Sequence, residues 1–125
     1  MRSVWAVVAG FLLWSVVWFV GGLGLAALFV ESHEAFLAGE AIHDVAYLAS
    51  AIVLSVVCSF LAGMTTASIA KDAAKDATLI MALLLLVTGI AVQASAWDLM
   101  PIWYHLVFLV LIGPVCLAGA RRVPA

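Results

Sequence analysis

Charge is scarce in this 125-residue chain. Asp, Glu, Lys and Arg together make up 10 % of it, well under the roughly 25 % of a soluble domain, so a water-facing globular fold is excluded. No Asp, Glu, Lys or Arg stands at the middle of any long apolar run, whereas proton-coupled carriers and pumps usually place an ionisable group there. An active transporter is therefore disfavoured. Lys and Arg number only 5, too few for the basic patch of a nucleic-acid binder. Cysteine is limited to Cys58 and Cys116, each inside an apolar run and not part of a Cys-x-x-Cys pair. That argues against a disulfide framework or a thiol oxidase and for two small buried thiols. Also missing are a Gly-rich phosphate loop, a His-Glu-x-x-His pair and a Ser-His-Asp order. No catalytic residue is assigned and no enzymatic activity is expected.

What the chain has instead is hydrocarbon. Apolar residues reach 68 %, beyond the roughly 45 to 50 % of soluble domains. They gather in four runs, at about residues 4–29, 42–70, 78–96 and 100–120, each near the roughly 20 residues that span a bilayer. The sequence therefore predicts an all-α membrane protein, a four-helix transmembrane bundle of up-down-up-down order. One domain over residues 1–125 leaves no room for a separate soluble unit. The basic residues are Arg2, Lys71, Lys75, Arg121 and Arg122, and all fall where one side of the membrane would hold them. Chance would do this about one time in sixteen, so the positive-inside rule predicts a multi-pass protein of the bacterial inner membrane with both termini cytoplasmic. The first run, from Val4 to Phe29, would make about 39 Å of helix. Signal-peptide cores are only about 7 to 15 residues long, so this run is read as a retained span.

Small residues recur every four positions on two of the expected helices. In the first, Ala6, Gly10, Trp14, Trp18, Gly22 and Ala26 share a face. In the second, Ala51, Ser55, Ser59, Gly63 and Ala67 make a smooth stripe. Helices in lipid gain little from hydrophobicity when they associate, so close backbone contact across small residues replaces that drive. The stripe is read as a contact within the bundle or, in the alternative, between copies. Trp5, Tyr47, Trp97, Trp103 and Tyr104 are expected to anchor the ends of the spans in the membrane interface.

The connection from Val30 to Asp44 reads as a short outer interfacial helix. Ser32 is expected to cap it, Phe36 and Leu37 to dip into the interface, and Gly39 to end it. Asp98 is expected to cap the last helix, with Pro101 in its first turn. All three histidines, His33, His43 and His105, fall on the outer side together with Glu40, Asp44 and Asp98. Glu40 and His43 stand three apart on one helical face, the spacing of di-metal carboxylate bundles, but the motif occurs once where such a site needs it twice. A mononuclear metal or small-ligand site built from His33, Glu40, His43, Asp44, Gln93, Asp98 or His105 asks less. The simpler reading is that these groups are solvated or capping. His105 lies too deep for that, and Gln93 or a first-loop acid is its expected partner.

The stretch Trp97-Asp98-Leu99-Met100-Pro101-Ile102-Trp103-Tyr104-His105, with Gly119 to Arg122 at the end, resembles a class of small four-span bacterial membrane proteins. The resemblance implies the fold and no assigned chemistry. Small multidrug exporters carry a membrane-embedded Glu in the first helix, and residues 4–29 have none. Fluoride channels are of similar size, but their dual topology conflicts with one-sided basic residues. The expected function is that of a structural or accessory membrane protein that packs with itself or a larger complex through small-residue faces. The alternative is an outer-side metal or small-ligand binding protein, in the limit a transport component. The bilayer is the expected partner, no cofactor is expected, and a metal ion belongs only to the alternative.

Overall fold

The computed structural model describes residues 2–42, 44–95 and 97–123, apart from the side chains of Arg2 and Ser3. Among these residues all regular structure is helical. The elements are α1 Arg2–Leu28, α2 Val30–Leu37, α3 Val45–Ala70, α4 Ala74–Ser95 and α5 Ile102–Arg121, with short 3-10 turns at Lys71–Ala73 and Trp97–Leu99. Three stretches are long and apolar enough to cross a membrane: Val4–Leu28 of 25 residues, Val45–Ser95 of 51 and Ile102–Arg121 of 20. The 51-residue stretch is divided at Lys71, whose φ of 52° and ψ of −107° stop α3 before α4 begins.

Local chemistry sets these boundaries. Asp44 caps α3, its Oδ1 accepting from the Ala46 amide at 3.0 Å and the Tyr47 amide at 3.4 Å. This satisfies helix-end donors that would otherwise have no partner. The helix therefore starts three residues later than the apolar run. Ser32 does not cap α2. The Phe29 amide still bonds the Leu25 carbonyl at 2.8 Å and the Phe29 carbonyl accepts from His33 at 3.0 Å. Helical bonding thus continues through the break, and Ser32 sits inside the second helix with its hydroxyl donating to Asp44 Oδ2 at 3.4 Å. At the other end of α2, Glu40 donates to the Ala35 carbonyl at 2.8 Å and Gly39 to Phe36 at 3.1 Å. This is a Schellman ending, and it requires the positive φ of 72° that Gly39 supplies.

Asp98 does not cap α5 either. It is exposed in the Trp97–Leu99 turn, and Pro101, with ψ of 149°, takes the cap position with no side-chain bond. Pro101 thus stands one residue before the helix and not in its first turn; its fixed φ sets the entry of the chain, while the first amides of α5 go without a side-chain cap. α4 begins at Ala74, four residues ahead of the apolar run, because Ala74 and Ala77 are strong helix formers that extend it.

Helices α1 and α3 run antiparallel. Thr66 Oγ1 donates to the Ala6 carbonyl at 3.3 Å, Trp14 Nε1 to Ser59 Oγ at 3.4 Å, and farther along Gly21 faces Leu54. α5 closes on the other flank of α3, where Gly63 faces the Cys116 backbone and Gly119 faces the Phe60 backbone. α4 packs on α5 through Gly89 against Phe108, Leu109 and Ile112. The core is built from Trp14, Leu48, Cys58, Met81, Leu85 and Phe108, among others. Val16, Phe19, Val20 and Leu23 on α1, with Leu83 and Val87 on α4, point outward. Such a surface suits hydrocarbon and not water.

The chain buries the α3 stripe itself. Ala51, Ser55, Ser59, Gly63 and Ala67 are all buried within the single chain. On α1 the repeat divides: Ala6, Gly10 and Trp14 are buried, whereas Gly22 has no atom within 4 Å of where a Cβ would stand and so packs on nothing. Tyr104 corrects another expectation. It is 3 % exposed and belongs to the core, not to an interfacial belt. It shares the inward face of α5 with Phe108 and Ile112, at helical spacing. Trp5, Trp97 and Trp103 are exposed, and Tyr47 is half-buried.

Candidate functional site

The ends of the bundle differ chemically. Lys71, Lys75, Arg121 and Arg122 lie at one end, and Glu31, Glu34, Glu40, Asp44 and Asp98 at the other. At the acidic end α4 and α5 bring two polar side chains face to face. His105 is wholly buried and Gln93 is 3 % exposed. His105 Nδ1 meets Gln93 Oε1, and His105 Nε2 donates to the Trp97 carbonyl at 3.0 Å. The Trp97 indole stacks on the imidazole with ring centroids 4.2 Å apart and planes 9° from parallel. Tyr104 closes the neighbouring edge at 5.7 Å.

Hydrogen-bond inventory constrains this group. With Gln93 presenting oxygen, both ring nitrogens must donate, which only an imidazolium can do. A charge with no carboxylate beside it is costly at such burial. Turning the Gln93 amide by half a revolution lets Nε2 donate to Nδ1 of a neutral ring and changes no shape. Either way one end of the amide is fixed by His105. The Tyr104 hydroxyl shares the other end, and both side chains border the space beside them.

That space is a cavity of about 320 Å³ enclosed by the acidic-end halves of α1, α3 and α4, with residues of α2 and α5 also on its wall. Gln93 and Tyr104 lie on its wall, Trp18 and Gly22 on the α1 side, and His33 and Phe36 under α2. The four-residue repeat of α1 explains the shape. Its first half packs against α3 and α4, and Trp18, Gly22 and Ala26 then continue the same face as a wall of the opening. Stacked rings stiffen that wall. Phe11 to Trp14 to Trp18 stand 6.3 Å and 5.7 Å apart, and Trp18 meets Phe108 edge-on at 5.7 Å. The volume is at the lower end of the roughly 300 to 1,000 Å³ of small-molecule sites. Among the described residues no Asp, Glu, Lys or Arg lines it.

The other candidate residues do not converge on this point. His33 lines the cavity, but Glu40 and Asp98 are exposed elsewhere and Asp44 is occupied as a helix cap. His43 lies outside the described residues. Among the described residues no three His, Cys, Asp or Glu side chains come together as metal ligands. Sequence reasoning missed the roles of Trp18 and Tyr104, although the repeat containing Trp18 and the Tyr104, Phe108, Ile112 spacing were both readable. No protein-family model, curated protein or solved structure matches the chain.

Proposed function

We propose that this chain is a bacterial inner-membrane protein that crosses the bilayer four times, with both termini cytoplasmic, and holds a small uncharged amphipathic molecule at its periplasmic end. The observation that carries the reading is the cavity lined by Gln93 and Tyr104, a buried amide held by His105 and a phenol beside it. Hydrocarbon walls would take an apolar body, and Gln93 and Tyr104 would hydrogen-bond a head group. A wall without Asp, Glu, Lys or Arg favours a neutral ligand. Such a small set of polar groups in a mostly apolar cleft is the usual way orientation is fixed. The four crossings are counted from α1, α3, α4 and α5, the basic residues giving the direction.

Two glycines test this reading. Gly22 and Gly24 both have open space where a side chain would go, but only Gly22 lines the cavity. Gly22→Leu should fill part of the cleft and cut ligand occupancy by about tenfold or more, the effect of losing about 1.4 kcal/mol. Gly24→Leu should leave it intact. Native mass spectrometry after mild extraction reads the occupancy. Equal occupancy in both variants, or a wild-type protein with none, contradicts the reading.

A second reading, an accessory subunit that packs with itself or a larger membrane complex, gains support from the open space over Gly24, which lies with exposed Val20 and Leu28 on the outward side of α1. The buried α3 stripe is not available to it, so the partner would seat a helix across α1. Gly24→Leu should then weaken association, and Gly22→Leu should not.

A further inference from the structure

The basic end of the bundle carries a second cavity, of about 460 Å³, between the start of α4 and the end of α5. Its rim holds Lys75, Asp76 and Arg121, and its wall holds Thr78, Leu79 and Leu117. Among the described residues Thr78 is 2 % exposed, and its hydroxyl has no hydrogen-bond partner. A buried hydroxyl left in this state costs free energy that a ligand oxygen would recover. Two cations and one carboxylate leave the rim at net +1, the complement of the single negative charge on a phosphodiester. Leu79 is 52 % exposed on the outward face of α4, so the wall continues from the charged rim onto the apolar flank of the bundle.

We infer that this cavity binds the phosphodiester head group of an anionic phospholipid. Lys75 and Arg121 would face the phosphate oxygens, the Thr78 hydroxyl would donate to one of them, and an acyl chain would lie along Leu79 and Leu117. Basic recesses between membrane helices recognise lipid head groups in this manner, each cation near the surface being worth about fivefold in affinity. The inference uses no residue of the acidic-end cleft, so the two sites stand or fall separately.

The test is thermal unfolding and native mass spectrometry of the full chain in detergent with added phosphatidylglycerol, phosphatidylcholine or inorganic phosphate. Phosphatidylglycerol should bind and raise the unfolding midpoint, and phosphatidylcholine should do neither. Lys75→Gln and Arg121→Gln should each weaken phosphatidylglycerol about fivefold, and the double variant about thirtyfold. Both residues are exposed, so these variants should fold as the parent does. Thr78→Val keeps the shape and removes the unpaired hydroxyl. It should unfold no earlier than the parent without lipid, yet lose lipid affinity. Equal binding of the two lipids, or a double variant that binds as the parent does, would overturn the inference. Protection by inorganic phosphate alone as strong as that by phosphatidylglycerol would assign the site to free phosphate and would also overturn it.

Discussion

Gly63→Ala should destabilise the protein by about 3 kcal/mol, at the upper end of the usual cost of overpacking a core. One methyl group has this effect because of what it meets. A Cβ at Gly63 would run into the Cys116 carbonyl and reach the Ala120 amide nitrogen at 3.1 Å, all of it backbone. A flexible side chain can rotate away, but a helix backbone moves only as a unit, so α5 would have to retreat. The interface is doubly constrained, because a Cβ at Gly119 would meet the Phe60 backbone in the same way. Dispersion across this close approach is the main attraction in lipid, and it falls steeply with a gap of even 0.5 to 1 Å. Gly63→Leu should abolish the packing altogether. Gly24→Ala is the control: it stands inside α1 with open space where a Cβ would go and should be neutral or stabilising by about 0.5 to 1 kcal/mol, since alanine favours helix. The unfolding midpoint in detergent measures all three.

His105→Phe should cost about 2 to 4 kcal/mol even though the somewhat larger ring keeps the site filled and can still stack on Trp97. The loss is hydrogen bonding. It leaves the Gln93 amide and the Trp97 carbonyl without their partner, and each orphaned buried group costs about 1 to 3 kcal/mol. Hydrogen bonds between membrane helices often measure only about 0.6 kcal/mol, because unfolded helices find other partners. Here full burial of His105 raises the penalty above that average. Gln93→Leu should cost less alone, and adding it to His105→Phe should recover about 1 kcal/mol by removing one of the two orphans. A double-mutant cycle on unfolding free energy reads this coupling directly. Additive losses would mean that the two side chains do not act together. The phenylalanine variant should also lose ligand at the acidic end, because nothing then holds the amide toward the cleft.

The helical class and most of the packing were legible in the chain because they follow from repetition. Ala51, Ser55, Ser59, Gly63 and Ala67 repeat at the helical period, and such a stripe must lie against something. His105 was legible for a different reason: a polar ring on a helix of apolar residues must find a partner, and of the two kinds expected, Gln93 or a first-loop acid, the structure pairs it with Gln93. The caps were less legible. Ser32 and Asp98 both have the chemistry to cap. A break of only one residue at Phe29 and a 3-10 turn at Trp97–Leu99 put each where no free helix end is in reach. Backbone geometry of one or two residues decided those cases, and no residue type announces it. The cleft was not legible at all. It is enclosed by segments of α1, α3 and α4, so its existence depends on the relative course of helices distant in the chain. Gly22 marks the spot in hindsight, but a glycine in a small-residue repeat reads equally well as a contact.

Every assignment of the two cavities to a side of the membrane rests on four crossings with the acidic end outward. Labelling of single-cysteine variants at Glu34, Lys71, Asp98 and Arg122, in intact cells with a membrane-impermeant thiol reagent, tests that most directly. All four positions are exposed, and the native Cys58 and Cys116 are buried thiols. Positions 34 and 98 should react in intact cells, and positions 71 and 122 only after the membrane is permeabilised. Reaction at 71 before permeabilisation, or shielding at 34 or 98, would contradict the account.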